Sequence, residues 1–300
     1  MAIIETRPPS TVDTGASAPR QRRKRQRGKR ERPNYLAGAS GWIWLAVIIL
    51  PIYYVVITSF KSQAGFFTSN PLLPTLEPTL DNYALVLNAG FTVYLLNSLI
   101  VTVGTVIPAL LVSFMAAYAI VRGRGKFISF TSTVFLMGLA IPLQATIVPI
   151  YLIITRMGLY DSLLALILPS AAFALPISVL ILSNFMRDIP GELFESMRLD
   201  GASNWSILWH LVLPMTRPAV ITVGIYNALQ VWNAFLFPLI LTQSPDKRVL
   251  PLSLWAFQGE FSVNVPAILA SVVLSTLPLL VVYIFGRRQL LGGLTAGFSK

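Results

Sequence analysis

Charged side chains are so unevenly placed along this 300-residue chain that they divide it into long silent stretches. Six segments, residues 33–60, 82–121, 127–155, 162–186, 218–245 and 261–286, contain no Asp, Glu, Lys or Arg, and each is at least 25 residues long. A helix that crosses a bilayer needs only about 20 apolar residues at about 1.5 Å of rise each, so every segment can cross once with room for tilt. The pattern predicts an all-α, polytopic membrane protein with six transmembrane helices.

Composition excludes the ordinary soluble alternatives. The chain is 55% hydrophobic and only 12% charged, with a mean hydropathy of +0.69, a balance that a dissolved globular domain does not carry. Basic residues then orient the spans, because loops rich in Lys and Arg stay in the cytoplasm. With the N-terminus inside, the inner segments hold 19 basic residues and the outer loops only Lys61, Arg156, Lys247 and Arg248. Both termini are therefore expected in the cytoplasm.

Residues 1–34 form a basic tail, expected to be disordered and cytoplasmic, ahead of a six-helix transmembrane domain expected at 35–300. The run Arg20–Arg32 could in principle meet nucleic acid. Its place directly before a membrane helix instead points to anionic lipid, at about 1 kcal/mol per basic residue. The first apolar run is a full span rather than a short signal-peptide core. The chain has no cysteine, so it offers neither a disulfide nor a thiolate metal site.

What the spans lack is informative. Ion-coupled carriers place carboxylates, His or Arg in the bilayer as relays, and none of the six segments holds one. The driving energy is expected to enter through a loop. The longest basic loop, 187–217, reads as two short helices. Pro190 opens the first at a position where a missing N–H is harmless, and Leu193, Phe194 and Met197 make its apolar stripe. Gly201 can take the left-handed turn that closes a helix. Ser203 or Asn204 can cap the second, where Trp205, Leu208, Trp209 and Val212 recur at i, i+3, i+4, i+7; Pro214 and Pro218 lead into the fifth span. Such an apolar pair calls for a partner.

The spacing in this loop resembles the permease subunits of bacterial ATP-binding-cassette importers, whose signature is Glu-Ala-Ala, three residues, Gly, nine residues, Ile-x-Leu-Pro. Glu195-Ser196-Met197 stands for the triplet, Gly201 for the glycine, and Leu211 with Leu213-Pro214 for the close. Ser196 and Met197 replace the two alanines. Asp200-Gly201-Ala202-Ser203, the run Val231–Leu239 and Gly293-Leu294-Thr295-Ala296-Gly297 are similar to the carbohydrate-uptake, maltose-type branch. The likeness covers nearly all of residues 40–300.

That resemblance implies a bacterial plasma-membrane subunit, not an enzyme, that forms the translocation pathway of a sugar importer. It implies a second homologous permease, an ATPase dimer that uses ATP and Mg, and an extracytoplasmic sugar-binding protein as partners. This chain itself would bind no cofactor, no metal and no nucleic acid, and would touch membrane lipid. Glu195, Gly201, Leu213 and Pro214 would belong to the element that docks on the ATPase. The loop 243–262 would face the binding protein, and the C-terminal tail would contact the ATPase.

A sugar pathway should be lined by hydroxyls, amides and aromatic faces. Tyr226, Gln230 and Asn233 recur at i, i+4, i+7, within about 60° of one helical face, with Asn227 and Trp232 flanking it. Gln144 is the notable amide of the third span, and Asn97 with Ser98 the polar pair of the second. Amides in bilayers also join helices, so lining and glue both remain open for these residues. The only histidine, His210, has no second ligand beside it and reads as structural. Two alternatives stay in view: a permease for another solute such as a peptide, and an ion-coupled secondary carrier.

Overall fold

The computed structural model describes residues 35–257 and 263–296; the basic tail, and with it the predicted boundary at residue 34, lies outside them. Every helix or turn of regular structure among them is helical. The chain divides into two units, Met1–Val47 and Ile48–Lys300, and the boundary falls inside the first helix, α1 (Tyr35–Ser59). Most of its apolar side chains from Trp42 to Val56 stand exposed, as expected of a helix whose solvent is lipid.

A short helix α2 (Gln63–Thr68) follows, capped by Ser62, whose hydroxyl accepts from Gly65 N–H at 3.1 Å. Lys61 is 1% exposed, and its ammonium donates to Ser69 Oγ at 3.0 Å and to the Asn70 carbonyl at 2.7 Å. Asn82 donates to the carbonyls of Ser59 and Lys61, both at 2.8 Å. These bonds satisfy backbone groups that a buried crossing would otherwise strand, and they tie the end of α1 to the start of the next span.

That span is one 42-residue helical run, Asp81–Arg122. It comprises α3 (Asp81–Val86), a widened turn at Leu87–Phe91 and α4 (Thr92–Arg122). Gly90, at φ 92, makes the kink between them, a conformation open to glycine at little cost. Along α4 the buried face is small and polar: Ser98, Thr102, Thr105, Ala109, Ser113 and Ala117. Small residues let membrane helices approach closely, and α4 packs along α7 (Leu163–Arg187) and α10 (Leu213–Trp232) on this side.

The third charge-free segment departs from a straight crossing. It forms α5 (Lys126–Gly138) and α6 (Ile147–Arg156), and the two runs are bent by 98° about the break between them. Pro142 explains the break, because its ring pushes Ile141 out of helical geometry and it has no N–H to continue the ladder. Among the described residues, four helices are long and apolar enough to cross a membrane, and a fifth crossing is counted if the bent pair makes one.

The loop after α7 forms α8 (Gly191–Leu199) and α9 (Asn204–Ile207). Pro190 takes the cap position of α8 rather than its first turn. Nor does α9 stand apart: it runs through a widened turn at Leu208–Val212 into α10, giving one 29-residue helix, Asn204–Trp232. Leu213 N–H bonds back to Leu208 O across that turn. The wider turn accommodates Pro214, which has no N–H for the carbonyl four residues back.

The fifth charge-free segment is also interrupted. α10 ends at Trp232, and α11 (Leu236–Leu241) begins anew, with Pro238 in its first turn, where no N–H is required. α12 (Leu250–Ser253) and α13 (Val265–Ala296) are the last α-helices among the described residues.

Candidate functional site

The loop 187–217 is rooted in the span core. Phe194, Ile207, Leu208 and Val212 are all at most 3% exposed and pack with Phe114 and Ala117 of α4 and Leu182 and Met186 of α7. Each such side chain contributes roughly 1.5–3 kcal/mol of burial. The guanidinium of Arg122 lies 3.9 Å from the centre of the Phe194 ring, a cation–π contact that fixes α8 to the end of α4.

α8 closes as the spacing predicts. Gly201 has φ 78, its N–H bonds to Arg198 O at 3.0 Å, and Ala202 N–H reaches Met197 O at 2.9 Å. This pair of bonds is a Schellman close, which requires the left-handed residue at its centre. Ser203 caps α9, accepting from Ser206 N–H at 3.2 Å. Met197, Leu211 and Leu213 are half-buried against the core, while Glu195, Ser196, Asp200 and Pro214 are exposed.

Half of the predicted apolar stripe is thus spent inside the protein. Of that stripe Leu193, at 38% exposure, and Trp205, at 59%, remain outside, and Leu199 joins them at 88%. The Trp205 ring meets Trp209 edge-on at 5.4 Å, and Trp209 lies 6.0 Å from Phe114, so a line of aromatic contact leads from the exposed patch into α4. Leu199 escaped the sequence reading because it stands off the Leu193, Phe194, Met197 stripe. His210 bonds through Nδ1 to the carbonyl of Ser206 at 3.0 Å. Among the described residues, no group of His, Asp and Glu is placed to hold a metal ion.

The predicted pathway residues are brought together only in part. Tyr226 and Gln230, both exposed, line a cavity of about 340 Å³ between α7 and the end of α10, with Ser170, Phe173 and Phe237. That size falls within the range of small-molecule sites, about 300–1,000 Å³. Phe173 and Phe237 stand 5.8 Å apart and supply aromatic faces the sequence reading did not single out. Their signal was present only as aromatic residues among many in apolar spans. Among the described residues, no charged side chain lines the cavity.

Asn227 also borders this cavity, but it is 2% exposed and donates to Ser178 Oγ at 2.8 Å, while Ser178 donates to Ala174 O at 2.6 Å. It joins α10 to α7. Asn233 leaves the predicted face because α10 ends one residue before it. It caps the helix, donating to Leu229 O at 2.8 Å, and lines a second cavity with Trp232, Ser275 and Thr276. Gln144 is exposed on the turn between α5 and α6; its neighbour Leu143, not Gln144, reaches the first cavity.

The segment 242–250 is clamped from two sides. Asn97 donates to the carbonyls of Asp246 and Arg248, both at 2.8 Å, and Ser98 Oγ accepts from Leu250 N–H at 2.8 Å. Opposite them, the Asp161 carboxylate accepts from the backbone N–H of Gln243 at 2.8 Å and of Ser244 at 3.0 Å, and from the Ser244 hydroxyl. The Ser244 hydroxyl bond, then the two backbone bonds, hold the Asp161 carboxyl below its ordinary pKa. Asp161 has φ 58, a left-handed conformation in a residue other than glycine.

Comparison with known proteins agrees with this arrangement. Residues 84–290 match the family model described as the binding-protein-dependent transport system inner membrane component. An ABC transporter permease protein of Caldicellulosiruptor sp. is 40% identical over 86% of this chain and 94% of its own length. The diacetylchitobiose uptake system permease protein NgcG of Streptomyces coelicolor is 33% identical over 85% of each chain. The trehalose/maltose transport system permease protein MalG of Thermococcus litoralis is 30% identical over 87% of this chain and 95% of its own. Among solved structures, a chain of a bacterial ABC transporter involved in import of the acidic polysaccharide alginate superposes with a TM-score of 0.74. It is 22% identical, over 85% of this chain and 95% of that one, and so speaks for the fold. With the apolar helices, the rooted loop and a family match over most of its length, this chain belongs to the binding-protein-dependent transport system inner membrane components, as a multi-pass ABC transporter permease and not an enzyme.

Proposed function

We propose that this chain forms half of the translocation pathway of a binding-protein-dependent sugar importer. The observation that carries the reading is the cavity of Tyr226, Gln230, Ser170, Phe173 and Phe237, which offers aromatic faces, an amide and a hydroxyl, and no charge. Sugars are bound by such groups, since their rings stack on aromatic faces and their hydroxyls need both donors and acceptors. The relatives named for diacetylchitobiose and for trehalose/maltose uptake support the same class.

In this proposal the chain crosses the membrane six times, with α5 and α6 together as the third crossing and α13, at 32 residues, as the sixth. Both termini face the cytoplasm. The loop 187–217 docks on a separate ATPase dimer, which consumes ATP and Mg, through Glu195, Ser196, Met197, Asp200, Gly201, Leu211, Leu213 and Pro214. The exposed Leu199 and Trp205 join that contact. A second permease completes the pathway, and an extracytoplasmic binding protein delivers the sugar. Of the pathway candidates, Tyr226 and Gln230 line it; Asn227 and Asn233 shape it, and Gln144 stands at its edge.

The test is to purify the chain from its own membranes in mild detergent, identify the chains that accompany it by mass spectrometry, and measure ATPase activity with a sugar panel. A second permease, an ATPase and a sugar-binding protein in the preparation are expected. A preparation whose ATPase responds to peptides and to no sugar would refute the substrate class, and a chain that emerges alone with no ATPase would refute the importer.

A further inference from the structure

A third cavity, of about 90 Å³, lies apart from the transport cavity, between α4, α5 and α7. Its lining changes character along α7. Pro176 and Leu180 lie at one end, with Phe135 of α5 beside them, and Ser183, Asn184 and Arg187 at the other. These α7 positions follow at helical spacing, so the passage from apolar to charged takes place along one helix face over about 16 Å.

The apolar end is closed by the helices themselves. A Cβ on Gly138 would stand 2.8 Å from Pro176 Cγ, so α5 meets α7 there with no room for a side chain. The polar end is open and underused. Ser183 is 5% exposed, yet its hydroxyl has no hydrogen-bond partner among the described residues. Arg187 is exposed and makes no ion pair among them; the one pair found is Lys247–Asp246. In the chain, Arg124 lies just past the end of α4, Lys126 opens α5, and Asp188 follows Arg187.

An apolar crevice with a free guanidinium, an amide and an orphan hydroxyl at its mouth is complementary to an amphiphile with an anionic head. The surroundings supply one, because α5 turns Phe130 and Met137 outward at 67% and 66% exposure, toward lipid. We propose that this cavity seats an anionic phospholipid, its phosphate on Arg187 and Asn184 and the start of one chain along Leu180 and Pro176. The lipid would wedge α5 against α7 and α4, the helices that root the loop 187–217. Basic pockets between membrane helices recognise anionic headgroups in this manner.

Native mass spectrometry of the purified chain with its accompanying subunits tests this without knowledge of the transported substrate. Phosphatidylglycerol or phosphatidylcholine is added in mild detergent and the bound adducts are counted. The phosphatidylglycerol adduct is expected to exceed the phosphatidylcholine adduct about fivefold. Arg187→Gln should erase that preference, Arg187→Lys should keep most of it, and Leu180→Trp, which fills the crevice, should lower both adducts. Millimolar inorganic phosphate should leave the phosphatidylglycerol adduct in place. Equal adducts in the wild type, or an Arg187→Gln preference unchanged from the wild type, would overturn the site. Displacement by inorganic phosphate would make it a free-anion site. Loss of the ATPase from Arg187→Gln with lipid binding intact would make Arg187 a partner contact instead.

Discussion

The loop 187–217 and the cavity at the end of α10 are built on opposite principles. The loop is held by side chains buried to 3% exposure or less, and it shows only a small apolar patch to the outside. The cavity is lined by half-free groups: Tyr226 at 45% exposure and Gln230, exposed as well. A firmly rooted element passes a push from its surface into the spans it joins. A lining that keeps its hydrogen-bonding groups uncommitted can meet a ligand and release it. Stiffness and adaptability are thus divided between two places on the same helix, Asn204–Trp232.

The sharpest way to break this contrast is to disturb the loop where it has no slack. Gly201 holds φ 78, and a Cβ there would meet nothing within 4 Å, so the obstacle to substitution is conformational and not steric crowding. A left-handed residue with a side chain costs about 1–2 kcal/mol, and more for a β-branched one. Gly201→Val is expected to cut transport at least about tenfold, with the complex less able to hold its ATPase. Gly201→Asn, which tolerates the same turn, should retain most of the activity. Equal loss in both variants would show that the turn's conformation is not what matters.

The same contrast explains what the sequence disclosed. The loop was legible because its requirements are local: a glycine for a left-handed close, a serine cap, and an apolar stripe at helical spacing. All of these are read from neighbours within a few residues. The cavity was legible only halfway. Tyr226 and Gln230 were found by their spacing on one helix, but Phe173 and Phe237 come from elements brought in by tertiary packing. Asn233 was lost because periodicity was extended past the end of α10. The bend of the third segment was written in Pro142, whose effect on Ile141 is local, yet an unbroken run without charges concealed it. Span counting from charge-free length treats every apolar residue alike and is blind to where the ladder breaks.

Within the cavity, two neighbouring residues on α10 should respond differently. Gln230→Leu removes an uncommitted amide, and uptake is expected to fall about fivefold, on the scale of one lost hydrogen bond, with assembly and thermal stability unchanged. Asn227→Leu removes the bond to Ser178 and should lower stability by about 0.6–2 kcal/mol, the range for interhelical amides in membranes. Melting of the detergent-purified complex beside uptake in vesicles separates them. If Gln230→Leu also destabilises the complex, it is glue like its neighbour, and the cavity loses its best polar group.

The smallest expected effect lies in the clamp on segment 242–250, where the contrast can be refined by pH. Asp161 accepts three hydrogen bonds from Gln243 and Ser244, and these hold its carboxyl below the ordinary value of 3.8. A depressed carboxylate stabilises the fold above its unfolded pKa, and that contribution is lost as pH falls through the folded value. Asn accepts the left-handed backbone that Asp161 adopts, so Asp161→Asn removes the charge and the oxygen that accepts from the Ser244 hydroxyl, while its amide oxygen can still accept from the two backbone N–H groups, and it adds no strain. The variant should therefore melt a few degrees below the wild type at neutral pH, by the order of one charged hydrogen bond. The difference should close as the solution is acidified below about pH 4. A gap that persists in acid would mean that it comes from the shape and neutral hydrogen bonding of the Asp161 side chain and not from its charge, whereas no gap at neutral pH would leave the clamp to Asn97 and Ser98 from the other side.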